Sequence, residues 1–320
     1  MIRSAAERER ALRRLESIRG ELLLPWKIRD VVIVRGGELQ AAWHDRGTDR
    51  IGPVYSCTKS VLSTLIGIAI GQGAIGGVGD RLGDYMALPP GADERLCEVT
   101  LEHLLTMTPG WDWPDFDKPY KEMKKSADWC SFVLSRPFAH QPGDAFTYNS
   151  GGSHLLSAVL TKATGLSAAS FARRELFGKL GFRQTSWPSN CGVNEGGAGL
   201  AMSALDLAKL GMLYAERGEW QGRRVVPAEW IEAAVSPRHK GFSHYEPQIF
   251  GSYGYHWWIS DKEHNGTADL YFALGFGGQY LFVVPERALV VVIRKQLAGR
   301  HNAMLSKKLL FEHILPMYDS

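Results

Sequence analysis

Strand-forming segments stand at the two ends of this 320-residue chain, and the stretch between them is patterned for helices. Near the start, Asp30-Val31-Val32-Ile33-Val34, the pair Gly36-Gly37 and Leu39-Gln40-Ala41-Ala42-Trp43 read as a β-hairpin closed by a glycine turn. In the last quarter, residues 254–259, 270–274, 278–284 and 288–293 are short and rich in aromatic or β-branched residues, with Pro285-Glu286-Arg287 as a turn. From about 100 to 235 the periodicity is helical: 100–107 (stopped by Pro109-Gly110), 153–164, 168–180, and 203–214 with Ser203 as its cap. Helices are also expected over 5–22, ended by Pro25, and over 302–315. A sheet fed by both chain ends must close around what lies between them. The pattern therefore predicts one α/β (α+β) domain over 1–320, with its sheet part about 1–55 and 236–320 and its helical part about 56–235.

The densest chemical signal sits where the helical part begins. Ser56-Cys57-Thr58-Lys59 runs directly into the apolar stretch Val61–Ile70, which reads as a helix ending near Gly71-Gln72-Gly73. Residues three apart on a helix share a face. A helix starting near Ser56 would put the hydroxyl at its N-terminus, with the Lys59 amine in reach and free N–H groups and partial positive charge beside both. A serine hydroxyl is a weak nucleophile until a base takes its proton, and a desolvated lysine can be that base. Such a pair suits an acyl-enzyme mechanism without histidine. The plain alternative is a solvated helix start with Ser56 as N-cap, and the motif by itself favours that alternative.

Composition removes several classes of function. The formal charge is +3, and Arg8, Arg10, Arg13 and Arg14 alternate with Glu7, Glu9 and Glu16, so no basic patch implies a nucleic-acid partner. No apolar run approaches the ~18 residues that span a bilayer, so no membrane partner is expected. The first residues lack the apolar core of a secretory signal, and Cys57, Cys97, Cys130 and Cys191 lack the paired spacing of a zinc site. The expectation is a cytoplasmic protein with four free thiols, no metal and no cofactor. Gly-x-Ser-x-Gly, His-Glu-x-x-His and the P-loop pattern are absent, which argues against an α/β-hydrolase, a zincin and a P-loop enzyme.

Two further elements fall where acyl transfer would want them. Phe146-Thr147-Tyr148-Asn149-Ser150-Gly151-Gly152 lies in a link before a helix, where a tyrosine can carry a proton and Asn149 or Ser150 can bond a substrate. Ala273-Leu274-Gly275-Phe276-Gly277-Gly278-Gln279 interrupts a strand with three glycines, a sign of close approach by another backbone or a ligand. In this order and spacing the three elements resemble the serine β-lactamase and penicillin-binding-protein superfamily. The nearer likeness is to its branch of class C-like esterases, DD-peptidases and 6-aminohexanoate-dimer-type amide hydrolases. Residues 101–110, 199–209 and 253–258 are also similar to segments of that family, so the likeness covers nearly the whole chain.

The resemblance implies a β-lactamase/transpeptidase-like fold, an antiparallel sheet flanked by helices with a large all-helical insertion. It implies Ser56 as nucleophile, Lys59 as base or proton shuttle, and Tyr148 as the group that activates Ser56 or protonates the leaving group. Asn149, Ser150, Gly275 and Gly277 become candidates for oxyanion or substrate binding. Where β-lactamases place Lys-Thr-Gly, this chain aligns Ala273-Leu274-Gly275, so the cation that meets a substrate carboxylate is missing and Arg294 or Lys295 would have to supply it. The expected activity is a serine hydrolase acting on a small ester or amide. The alternatives are a DD-peptidase or β-lactamase, or a catalytically silent binding protein on the same fold. Cys57 reads as inert packing, His103 as structural, and Arg183, Arg223 and Arg224 as surface; Trp111, Trp113, Trp257 and Trp258 are either core or pocket lining. The oligomeric state is not legible.

Overall fold

The computed structural model describes residues 2–114, 118–241, 251–297 and 304–318. Among them, one eight-stranded sheet takes strands from both ends of the chain. They are β1 (Ile28–Arg35), β2 (Glu38–His44), β3 (His239–Lys240), β4 (Ser252–Tyr253), β5 (Trp258–Ser260), β6 (Leu270–Gly275), β7 (Gln279–Val284) and β8 (Leu289–Lys295). Their order is β2-β1-β8-β7-β6-β5-β4-β3, every neighbouring pair antiparallel. The first strand thus pairs with the last, from Ile28↔Lys295 to Arg35↔Leu289.

The helices are α1 (Ile2–Ser17), α2 (Arg19–Leu23), α3 (Cys57–Gly71), α4 (Leu101–Leu105), α5 (Lys118–Met123), α6 (Trp129–Leu134), α7 (Ser150–Thr164), α8 (Ala168–Ala172), α9 (Ala204–Ala215), α10 (Ala228–Ala234), α11 (Lys262–Asn265) and α12 (Leu305–Lys308). Both faces of the sheet are covered. On one face Val32, Val34, Leu281, Val283, Val290 and Val292 join the core of α3, α7 and α9. On the other, Val31, Ile33, Phe282, Val291 and Ile293 meet Ala11, Leu15, Ile18 and Leu22 from the start of the chain and Leu309–Tyr318 from its end. A strand covered on both sides has no solvent face to show, which is why β8 reads as an unbroken apolar run rather than an alternation. The same logic applies to α3, buried nearly all round from Cys57 to Ala69.

Several expected elements change shape. The strand anticipated over 254–259 is a turn at 254–257 running into β5, with β4 just before it. Gly254 presses so closely on the Ala234 carbonyl that a Cβ there would collide, and His256 takes φ 61 so that its N–H reaches Leu105 O at 3.0 Å. Contacts to the helical part override the local strand propensity there. The helix anticipated over 5–22 breaks at Ile18, and the one over 168–180 continues past Ala172 with π-type turns. The closing helix runs from Leu305 through π and 3₁₀ turns to Tyr318; residues 302 and 303 of that expectation lie outside the described residues. Among the described residues no single helix is long and apolar enough to cross a membrane.

Candidate active site

Two helix starts meet in the interior between sheet and helices. Ser56 is the residue before α3, yet its side chain makes no capping hydrogen bond, so the hydroxyl is not consumed by the helix it opens. The solvated-cap alternative therefore does not describe it. The preceding Tyr55 takes φ 48, a left-handed conformation costly for any residue with a Cβ, which the surrounding fold must impose on the turn into Ser56. One turn on, Lys59 is 1% exposed. Its Nζ donates to Ser56 Oγ at 3.2 Å, Ser150 Oγ at 3.0 Å and Gly197 O at 2.7 Å.

The second start is that of α7, which begins at Ser150, earlier than the sequence pattern placed it. Asn149 is the cap: its Oδ1 accepts the Gly152 N–H at 2.7 Å, and its residue is fully buried. Asn149 thus fastens the helix through Oδ1, and Ser150 Oγ faces the amine. Tyr148, one residue earlier, lies with its ring 4.7 Å from Lys59 Nζ and stacks on Trp258 at 5.9 Å, with Tyr253 edge-on at 6.4 Å.

Gly197 is the contributor the sequence reading missed. A backbone carbonyl carries no residue signature. The glycines are the trace it leaves. A Cβ at Gly196 would strike Ser153 O, and one at Gly197 would stand 2.8 Å from Ser150 Cβ, so only a glycine pair lets this segment lie against the start of α7. Its outer end is tethered by Glu195, whose buried carboxylate accepts from Tyr120 of α5 and, at 2.6 Å, from Lys124 just beyond that helix. His256 was missed too. Its Nε2 meets Ser153 Oγ at 3.1 Å, its carbonyl accepts from Ser60 Oγ at 2.7 Å, and burial with the nearby Lys59 charge keeps the ring neutral, its pKa well below the usual range.

The third element forms the opposite wall. β5 pairs with β6 only as far as Trp258↔Phe272, whereas β7 follows β6 to Gly275↔Gln279. From Ala273 onward β6 thus turns an edge away from β7, toward the start of α3. Gly275 is jammed against Val54 O, where a Cβ would collide, so the strand comes within two residues of Ser56. Gly277 lies in the hairpin turn at φ 75. Arg294 and Lys295 do not face this wall. Arg294 donates to Met202 O at 2.9 Å and lies 3.7 Å from Asp30, while Lys295 donates to Trp26 O. Burial pushes the pKa of Arg294 down to about 10 and that of Lys295 to about 8.

The remaining candidates take structural places. Cys57 is buried with Sγ toward Gln279 O at 3.7 Å, and burial pushes its thiol up to about 12, far from a reactive thiolate. His103 caps its own helix start, its Nδ1 accepting from Thr100 N at 3.2 Å. Trp111, Trp113 and Trp257 belong to the core on one face of the sheet and Trp258 to the core on the other, where it stacks on Tyr148. Asp30, His44 and Asp49 bring a ligand atom each within 4.8 Å of one another. Their oxygens already serve Arg29 at 3.4 Å, Arg294 at 3.7 Å, Arg183 at 2.9 Å and the first N–H groups of α9 at 2.9 and 3.0 Å. Three guanidinium groups around the cluster make it an ion-pair network rather than a cation site.

The Beta-lactamase family profile matches residues 30–307, and the chain belongs to that family. Among curated relatives, the 6-aminohexanoate-dimer hydrolase of Paenarthrobacter ureafaciens is 25% identical over 285 residues, 82% of this chain and 70% of that protein. The solved structure titled a putative 6-aminohexanoate-dimer hydrolase from Bacillus anthracis superposes with a TM-score of 0.78 at 18% identity, covering 92% of this chain and 81% of the other. A hydrolase described as having promiscuous acyltransferase activity reaches 0.78 at 15% identity, covering 98% of both chains. An octameric penicillin-binding protein homologue from Pyrococcus abyssi reaches 0.73 at 21%, covering 94% and 77%. At these identities the likeness to solved structures is one of fold: an antiparallel sheet with helices on both faces.

Proposed function

We propose that this member of the Beta-lactamase family is a serine hydrolase that cleaves a small uncharged ester or amide through an acyl-enzyme at Ser56. The observation that carries the reading is the set of three partners around Lys59 Nζ. As an ammonium it can donate to all three. As a neutral amine it has two N–H groups and one lone pair. The Gly197 carbonyl can only accept, which fixes one N–H, and Ser150 Oγ can accept the second. In that arrangement the lone pair can take the proton of the Ser56 hydroxyl.

In the proposed reaction Ser56 Oγ attacks the substrate carbonyl and its proton passes to Lys59. The carbonyl electrons move onto oxygen, where the Ser56 N–H and the free edge of β6 beyond Phe272 would receive the charge. Collapse expels the leaving group, which takes a proton relayed from Lys59 through Tyr148 and departs as alcohol or amine. Water then attacks the acyl-enzyme along the same proton path in reverse and releases the acid. Tyr148 is suited to the relay because its ring lies beside Lys59 and is braced by Trp258.

The missing cation supports a neutral substrate. A lactam carboxylate brought against Ala273 and Leu274 would be desolvated beside apolar side chains, and Arg294 and Lys295 are engaged elsewhere. The 6-aminohexanoate-dimer hydrolase relative keeps linear amides on the screen. The test is a mechanism-based fluorophosphonate followed by peptide mapping, alongside p-nitrophenyl esters, nitrocefin and linear amides. One adduct on the peptide bearing Ser56, lost with turnover in Ser56→Ala, is the expected result. Labelling of Cys57 or a distant serine would overturn the assignment, and no labelling with no turnover would favour a silent binding protein.

A further inference from the structure

The hairpin carrying Gly275 ends in an aromatic ring that the fold leaves in solvent. Phe276 is 65% exposed. A single exposed apolar residue is ordinary. This one is held rigid beside the proposed nucleophile and in apolar company. Gly275 is wedged against Val54, Gly277 and Gly278 take φ 75 and 91, and the Gly278 N–H closes the turn on Gly275 O at 3.2 Å. Ser306 Oγ donates to Gly278 O at 2.8 Å and pins the turn from behind. The Phe276 ring meets Tyr55 edge-on at 5.9 Å, and Tyr55 directly precedes Ser56. Leu297, 54% exposed, lies so close to Gly277 that a Cβ there would collide with it.

We infer that Tyr55, Phe276 and Leu297 form a subsite for an uncharged alkyl or aryl group of the substrate, and that Phe276 is a specificity-determining residue. The catalytic consequence rests on the acyl-enzyme reading, whereas the binding does not. An apolar group laid on these side chains removes water from both surfaces without ordering the protein, because hairpin and turn are already fixed. A charged group there would be desolvated against two rings and a leucine. The apolar group can belong to the acyl or to the leaving portion of the ester, which share the same chemistry.

The experiment compares the parent with Phe276→Ala and Phe276→Leu. The kcat/KM ratio of p-nitrophenyl octanoate to acetate reads the acyl side, and that of benzyl to methyl acetate reads the leaving side. One of the two ratios should fall at least about tenfold in Phe276→Ala and recover most of that loss in Phe276→Leu, the scale expected for apolar pocket contacts. Both ratios within about twofold of the parent would overturn the role in specificity. Equilibrium dialysis with the Ser56→Ala protein, with and without Phe276→Ala, reads binding without chemistry. Affinity for the apolar ester should drop about fivefold or more, and equal affinities would overturn the subsite. A parent that turns over no ester and no linear amide, and takes no fluorophosphonate at Ser56, yet shows Phe276-dependent binding would refute the acyl-enzyme reading and leave the subsite standing.

Discussion

The two walls of the candidate site are built on opposite principles. The helical wall brings Ser56, Lys59, Ser150 and the Gly197 carbonyl into one hydrogen-bonded group from three separate segments. The sheet wall offers Ala273, Leu274, Gly275 and Phe276, whose contributions are backbone edge and apolar surface. Buried polar groups are expensive unless each is paired, so the first wall tolerates little change. An apolar wall has no such bookkeeping and can vary in size and shape at modest cost. On the proposed reading, the proton-carrying groups lie on the helical wall, while the sheet wall supplies a backbone edge for the oxyanion and the apolar surface that would select the substrate.

The contrast breaks first on charge. Penicillins and cephalosporins should be at least ~10³-fold poorer in kcat/KM than p-nitrophenyl acetate or butyrate, since their carboxylate meets the apolar wall unpaired. Comparable rates on nitrocefin and the simple ester would show that a cation reaches this wall after all. Next come the proton carriers. Lys59→Ala and Tyr148→Phe should each lower kcat by at least ~10²-fold, and the double variant should be far from additive because both act on one path. Near-parent turnover in Tyr148→Phe would strike Tyr148 from the mechanism.

A smaller effect sharpens the helical wall. Gly197→Ala places a Cβ 2.8 Å from that of Ser150, so it displaces a partner of Lys59 without touching either reactive group. A loss of about tenfold in kcat with KM little changed is expected from such a misplacement. Glu195→Gln, which weakens the Lys124 tether but keeps a hydrogen-bonding group, should cost only a few-fold. Equal effects on kcat and KM in both variants would mean a merely structural role for this segment.

The smallest effect lies away from the site, in stability. Lys307 is buried with its amine 5.5 Å from the Phe272 ring and 5.8 Å from that of Tyr280, and burial pushes its pKa down to about 7. Lys295 is depressed to about 8 for the same reason. Unfolded, both amines would hold their protons up to about 10.5. Between about pH 7 and 10.5 the unfolded chain therefore binds more protons, and these groups make stability rise with pH across that window. Lys307→Met should raise Tm at pH 7 and flatten its rise toward pH 9.5, read by differential scanning fluorimetry. An unchanged slope would show that Lys307 keeps its proton in the folded state.

Much of this was legible in the chain itself, and what was not follows a pattern. The strands β1, β2, β6, β7 and β8 and the helix after Ser56 announce themselves through local periodicity, and the spacing of Ser56 and Lys59 places them one turn apart. The turn at 254–257 was read as strand because its aromatic residues suit a strand; their true partners, Ala234 and Leu105, lie far off in sequence. Gly197 escaped because its part is played by a carbonyl, and Glu195 because its partners Tyr120 and Lys124 lie some seventy residues earlier. That Asn149 rather than Ser153 opens α7 could be read only once the start of the helix was located to the residue.

The pairing of β1 with β8 also has a consequence for how the chain is made. Ile28 finds Lys295 only after nearly all the intervening chain exists, so β1 and β2 must wait on the ribosome for the partner that completes their sheet. Until then α3, buried nearly all round in the finished fold, has one side of its packing missing. Contacts so distant in sequence form slowly, because the loop must close before the pairing rewards it. The growing chain therefore presents sticky surface for most of its synthesis, and the groups around Lys59 can align only when the last strand has arrived. A ribosome-bound fragment ending before residue 289 should show no ester turnover, while release of the full chain should bring it on in a single late step.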